Sequence, residues 1–214
     1  EINLTGKVMS GSIQAGESVL VQPSNLCLRV GSIKSWAVQP DGSNTAEEKD
    51  FVMKNDNNIT LLIKHKELKA VLSSQTMTDV IKSGDLASKI DKKSVTRVQK
   101  SKALPVSAVK KFKMKLKLYN LEQKPLLVGA PFMLFRGSAS VPAAIEKIKE
   151  VSGMPKKKTI FHLVSGQNAV VTVDIMGERE ISLMKFADNH KLGRLVLIQN
   201  GYIIGVGLVD KFLF

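Results

Sequence analysis

The stretch Val109-Lys-Lys-Phe-Lys-Met-Lys-Leu-Lys-Leu-Tyr119 constrains the fold most. Its alternation has a period of two, so an extended strand puts Phe112, Met114, Leu116 and Leu118 on one face and Lys111, Lys113, Lys115 and Lys117 on the other. Such a strand needs partners that bury the apolar face. The end of the chain supplies two. Leu195 to Ile198 and Tyr202 to Val209 are rich in β-branched and apolar residues, and Asn200-Gly201 between them accepts the positive φ angles of a tight hairpin. Gly205 and Gly207 share one face of the second strand, where another backbone or side chain can approach closely.

Upstream, Gly6 to Ile13 reads as a short strand, Gln14-Ala-Gly16 as a turn and Glu17 to Gln22 as a second strand stopped by Pro23. Leu26 to Val38 is a long alternating strand. Residues 39–50 are polar, with Glu47, Glu48 and Asp50, and read as an exposed loop. Asn58 to Lys64 is a strand, residues 65–75 suit a helical turn or loop, and Ser83-Gly84-Asp85 is a turn. Periodicity lapses over 99–108 around Pro105, which marks a domain boundary. Beyond it, Leu121 to Gly129 forms a loop, and Ala130–Phe135, Ala143–Lys149 and Asn168–Ile175 are further strands. No long helix is required and no internal repeat is present, so the chain is all-β. At 214 residues it can build two cores.

Three stretches resemble the translational GTPases, the superfamily of elongation factors Tu and one alpha, release factor three and the Hbs-type ribosome-rescue factors. Leu192-Gly193-Arg194, an apolar strand, the turn at Gly201 and the Gly-x-Gly strand are similar to the end of that family's third domain. Gly6-Lys-Val-x-x-Gly-x-Ile-x-x-Gly-x-x-Val19 resembles the opening of its second domain, and Asp79 to Ala87 resembles the start of that domain's last strands. Tyr119-Asn-Leu-x-x-x-Pro-x-x-x-Gly-x-Pro-Phe132 again resembles domain three. The resemblance implies two consecutive antiparallel β-barrels, residues 1–104 as domain two and residues 105–214 as domain three. It also exposes a departure: the family carries Arg where Ile198 stands, and Thr-Ile/Val-Ala where Ile203-Ile204-Gly205 stand. Within the family, that loss of polar residues is closest to the superkiller-type exosome adaptors.

Catalytic and metal chemistry find little support. No Gly-x-x-x-x-Gly-Lys-Ser/Thr phosphate cradle and no Asn-Lys-x-Asp base-reading motif occurs. The resemblance therefore places any GTP-binding domain before Glu1, and no cofactor is expected in this stretch. His65, His162 and His190 have no Cys or second His at ligand spacing. Cys27 lies in the long alternating strand as a small core or edge residue with nothing to activate it. Ser10 and Ser138 lack a nucleophile-elbow setting, and Glu47-Glu48 has no apolar pocket to split its pKa values. Trp36 reads as a core residue.

Charge is the stronger signal. The net charge is +13; residues 105–214 hold 17 Lys and Arg against 8 Asp and Glu, and residues 1–104 hold 15 against 11. From Lys92 to Lys117 there are ten basic residues and no acidic one. Two readings follow. Lys110, Lys111, Lys113, Lys115 and Lys117, with the Lys156-Lys157-Lys158 cluster, form a phosphate-contacting surface on ribosomal RNA, or the lysines guard a solvated strand edge. Aromatic residues make up 5% of the chain and no RNA-recognition signature is present, so base-specific reading is not expected.

A single cysteine fits a reducing compartment, no signal-peptide pattern precedes Gly6, and no apolar run reaches the ~20 residues of a membrane helix. The expectation is a cytoplasmic monomer without membrane contact. The resemblance implies the non-catalytic C-terminal part of a messenger RNA surveillance factor. It would engage stalled ribosomes and couple them, through regions outside this chain, to the exosome and superkiller complex in nonstop decay. By the same resemblance Gly193, Arg194 and Gly201 meet a release-factor- or tRNA-shaped partner. An Hbs-type rescue GTPase or release factor three is the alternative within the family. An autonomous basic RNA-binding β protein is the alternative outside it, and the sequence preceding residue 1 would discriminate.

Overall fold

In a computed structural model, which describes residues 2–38, 43–53, 58–63, 80–90, 106–119, 125–155 and 160–214, every regular element is a strand. The chain divides into two compact units, Glu1–Ile81 with Ala87–Ala103, and Lys82–Leu86 with Leu104–Phe214.

The first unit contains β1 (Ile2–Gly6), β2 (Ser12–Gln14), β3 (Ser18–Gln22), β4 (Leu26–Val38), β5 (Asn44–Lys49), β6 (Phe51–Met53), β7 (Ile59–Ile63) and β8 (Leu86–Ile90). Its described strands form a six-stranded sheet in the order β1-β7-β4-β3-β8, with β5 also on β4, and a separate β2–β6 ribbon. The alternation of β4 sends Leu26, Leu28 and Val30 inward, where they join Val19, Val21, Ile33, Leu61 and Ile63 in one core. Several expectations change. The single strand expected over 6–13 is not formed: β1 ends at Gly6, residues 7–11 are irregular with Gly11 at φ +74°, and β2 begins at Ser12. The loop expected over 39–50 contains β5, paired with β4 from Ile33↔Lys49 to Val38↔Asn44; β5 buries no side chain, so it leaves no alternation to read. Cys27 faces outward, since Leu26 and Leu28 take the inward positions. Trp36 is 40% exposed rather than core, and its Nε1–H donates to Thr60 Oγ1 at 2.9 Å. Residues 65–75 and His65 lie outside the described residues.

The second unit contains β9 (Ser107–Val109), β10 (Lys111–Leu118), β11 (Leu126–Leu127), β12 (Pro131–Arg136), β13 (Ala139–Val151), β14 (His162–Leu163), β15 (Asn168–Ile175), β16 (Ile181–Leu183), β17 (Arg194–Gln199) and β18 (Tyr202–Leu213). Six of them close an antiparallel barrel in the order β10-β15-β13-β12-β17-β18, and β9–β16 and β11–β14 are short ribbons. As the alternation of β10 requires, Phe112, Met114, Leu116 and Leu118 are fully buried, packed with Leu134, Ile145, Val171, Val173, Leu195 and Leu197. The β17–β18 turn has positive φ at both Asn200 (+52°) and Gly201 (+83°), the two-residue hairpin that Asn-Gly predicts. Gly205 lies on the inner side of β18, where a Cβ would stand 2.7 Å from the Lys117 carbonyl oxygen. A side chain there would push β18 away from β10.

One buried charge organises the end of β12. Continuing the inward series Phe132, Leu134, Arg136 puts a guanidinium inside the second unit, 5% exposed. Its Nη2 donates to the Gly84 carbonyl, and burial lowers its pKa to about 10, partly opposed by the nearby Asp85 carboxylate. Asp85 in turn accepts from Arg179 Nη2 at 2.7 and 2.9 Å and from the Lys82 backbone N–H at 3.0 Å. The Ser83-Gly84-Asp85 turn, with Gly84 at φ +88°, thus belongs to the second unit by chemistry as well as by packing.

Candidate functional site

The lysine face of β10 is the outer wall of a closed barrel. Both edges of the strand are paired, with β15 on one side and β18 on the other. Edge protection therefore does not explain the lysines.

The lysines are also unequal. Lys110 is exposed at the bend before the strand. Lys111 is tied down, with its Nζ 2.7 Å from Glu146 Oε1 and 3.6 Å from Asp174 Oδ2, and the bond to Glu146 raises its pKa. Lys113 stands opposite Thr172 on β15 and Lys211 on β18, beside a bulge, so two like charges meet across the ladder. Lys115 and Lys117 are exposed and have no carboxylate in register: Lys115 lies between Val170 and Leu208, and Lys117 between Asn168 and Val206. Lys156, Lys157 and Lys158 lie outside the described residues.

Strand closure brings the free end of this face to Arg194. Arg194 pairs with Leu208, so one row across the barrel wall runs Arg194, Leu208, Lys115, Val170, Glu150. The next row runs Val196, Val206, Lys117 and Asn168. The two rows line an open groove of about 700 Å³ that also takes in Tyr119 and Ser152. Arg194 is held from behind. Its guanidinium carbon lies 6.0 Å from the centre of the Phe186 ring, a cation–π distance, and His190 stacks on the same ring at 4.6 Å. The loop carrying these rings is fixed by Asn189, whose Oδ1 accepts from the backbone N–H of Lys191 (3.0 Å) and Leu192 (3.1 Å).

Of the residues singled out around the hairpin, Arg194 alone presents a side chain to the groove. A Cβ on Gly193 would overlap the backbone of Lys185 and Phe186, and Gly201 supplies positive φ to the turn. Both shape backbone. The hairpin's other outward surface is apolar: Ile198 faces Ile203 across the ladder, and Met133 of β12 pairs with Ile198 on the other side. Met133 is 38% and Ile203 55% exposed, and Tyr202 beside them 74%. Sequence reading flagged Ile198 and Ile203 singly but gave no sign of Met133 or of Tyr119, Asn168 and Ser152, which only the strand register gathers. Among the described residues, no group of three His, Cys, Asp or Glu could hold a metal ion.

The architecture is thus a closed six-stranded barrel that follows a sheet-built unit in the chain and carries Leu192-Gly193-Arg194 at the start of its last hairpin. Residues 111–210, most of the second unit, match the family described as GTP-eEF1A C-terminal domain-like, and the chain fits the C-terminal domains of a translational GTPase-like protein. Over 112 residues it is 28% identical to Protein HBS1 of Drosophila melanogaster, a match that covers 50% of this chain and 16% of that protein. The fold is shared with the crystal structure of sup35 complexed with GDP (TM-score 0.69, 20% identity), over 99% of this chain and 44% of that one. It is shared equally with the S. cerevisiae Ski7 GTPase-like domain bound to GTP (TM-score 0.67, 16% identity), over 96% and 44%. This chain thus spans less than half of those structures.

Proposed function

We propose that this chain is the non-catalytic C-terminal part of a GTPase-like messenger RNA surveillance factor. It engages stalled ribosomes and couples them to the cytoplasmic exosome and superkiller complex, so that messages lacking a stop codon are degraded. The observation that carries this reading is the apolar outer surface Met133–Ile198–Ile203. Where the resembling GTPases keep polar residues for a release-factor-shaped partner, this barrel offers an aliphatic surface, as an adaptor with exchanged contacts requires. Lys115, Lys117 and Arg194 supply the cationic surface for ribosomal RNA, and binding through them weakens with salt as condensed counterions are released.

Deleting the gene and following an mRNA without a stop codon tests the reading. A several-fold longer half-life, with ordinary messages unaffected, supports it; an unchanged half-life overturns it. The alternative, an Hbs-type rescue GTPase or release factor three, predicts that the purified chain captures a release-factor-shaped protein. It further predicts that Ile198→Arg strengthens that capture.

A further inference from the structure

The groove across β18, β10 and β15 is graded in chemistry. Val206 and Leu208 form an aliphatic floor between Arg194 on one side and Lys115 and Lys117 on the other, Asn168 lies next to Lys117, and Glu150 lines the far end. Lys115 and Lys117 on β10 and Tyr119 immediately after it line the groove two residues apart, which spaces them at roughly 7 Å along extended chain. That matches the interval between successive phosphates of an extended single strand. Tyr119, 42% exposed, puts an aromatic ring at the end of the row. On the same strand Lys111 is neutralised by Glu146 and Asp174, whereas Lys115 and Lys117 face aliphatic and amide neighbours in register, with Glu150 two strands away from Lys115 as the groove's one carboxylate.

We propose that this groove binds single-stranded RNA, with Lys115 and Lys117 on successive phosphates, Arg194 across the aliphatic floor closing on the backbone from the other side, Tyr119 stacked on an unpaired base, and Asn168 and Ser152 hydrogen-bonding base edges or 2′-hydroxyls. Duplex RNA offers the phosphates but keeps its bases stacked inside, so it cannot use Tyr119 or the aliphatic floor. The site goes beyond the ribosome contact proposed above and does not depend on the exosome coupling.

The test is fluorescence anisotropy of the chain with a labelled oligouridylate, against the same strand annealed to oligoadenylate. The expected result is tighter binding of the single strand. Tyr119→Ala weakens it about ten-fold while Tyr119→Phe binds as wild type, since base–aromatic stacking needs only the ring. Lys115→Gln/Lys117→Gln lowers the slope of log K against log salt by about 1.4, two phosphates at ~0.7 each, and Lys111→Gln leaves it unchanged. Equal affinity for single strand and duplex, indifference to Tyr119→Ala, or equal loss in the Ala and Phe variants overturns the proposal. So does an acidic peptide that binds the groove where oligouridylate does not. If Tyr119→Ala does not fold, the single-strand preference and the Lys115→Gln/Lys117→Gln slope still decide. Ribosome co-sedimentation of the wild type and of Tyr119→Ala separates the two claims: no oligouridylate binding with intact ribosome binding sinks this site and leaves the function above standing.

Discussion

Replacing Asp85 with Ala removes the carboxylate that faces two arginines. Arg136 is 5% exposed, its Nε has no hydrogen-bond partner, and Asp85 is the charge that opposes its desolvation. Arg179 also loses both of its bonds to Asp85, but its side chain is 32% exposed and water can replace part of them. Stripping one partner from a buried pair costs about 3–5 kcal/mol; with Arg179 half-solvated, the lower end applies, about 3 kcal/mol. For a unit of this size that lowers the transition by roughly 10 °C. The aromatic residues make the assay selective. The sole tryptophan, Trp36, lies in the first unit, and both tyrosines, Tyr119 and Tyr202, lie in the second. Near-UV circular dichroism of the tyrosines should therefore show the fall, while Trp36 fluorescence follows the first unit separately. A tyrosine transition that moves by less than about 2 °C would refute the claim that the 82–86 turn is a structural part of the second unit. A double-mutant cycle with Arg179→Ala should return a coupling of about 1 kcal/mol or more.

Other consequences are smaller. The bond from Lys89 holds the Glu17 carboxyl below its ordinary value of 4.5, so the pair stabilises the first unit above that pH and the contribution is lost as pH falls through the lowered pKa. Glu17→Gln should flatten that acid limb in Trp36 fluorescence, by less than about 1 kcal/mol because the pair is partly exposed. Gly205→Val should cost the second unit about 2–3 kcal/mol in urea unfolding, as the new side chain meets the Lys117 carbonyl. Ile203→Thr, on the exposed hairpin surface, should change stability by no more than about 0.5 kcal/mol, so any loss of a bound partner in pull-down reports the contact itself.

The strands with one buried face were legible in the sequence. The alternation of 109–119 and 26–38 and the Asn200-Gly201 turn each carry a local signal, and the strands stand where that signal puts them. Strand β5 was not legible, because Thr45, Ala46, Glu47 and Glu48 are exposed and its pairing is a property of the backbone. Ribbons of two or three residues such as β11 and β14 are too short for any periodicity. The groove was half legible. Lys115, Lys117 and Arg194 were candidates for separate reasons, but Leu208 joins them only through barrel closure, which pairs residues far apart in the chain. Arg136 is the one missed residue with a local sign: it continues the inward parity of Phe132 and Leu134, where a charge must find a partner.

Co-sedimentation of the chain with ribosomes across a salt series, beside Lys115→Glu/Lys117→Glu and Lys111→Glu variants, tests the central claim most directly. Wild-type binding should fall steeply with salt, collapse in the Lys115→Glu/Lys117→Glu variant and survive in Lys111→Glu, whose lysine is already occupied by Glu146 and Asp174. Binding that persists in Lys115→Glu/Lys117→Glu, or is absent from the wild type, would contradict the account.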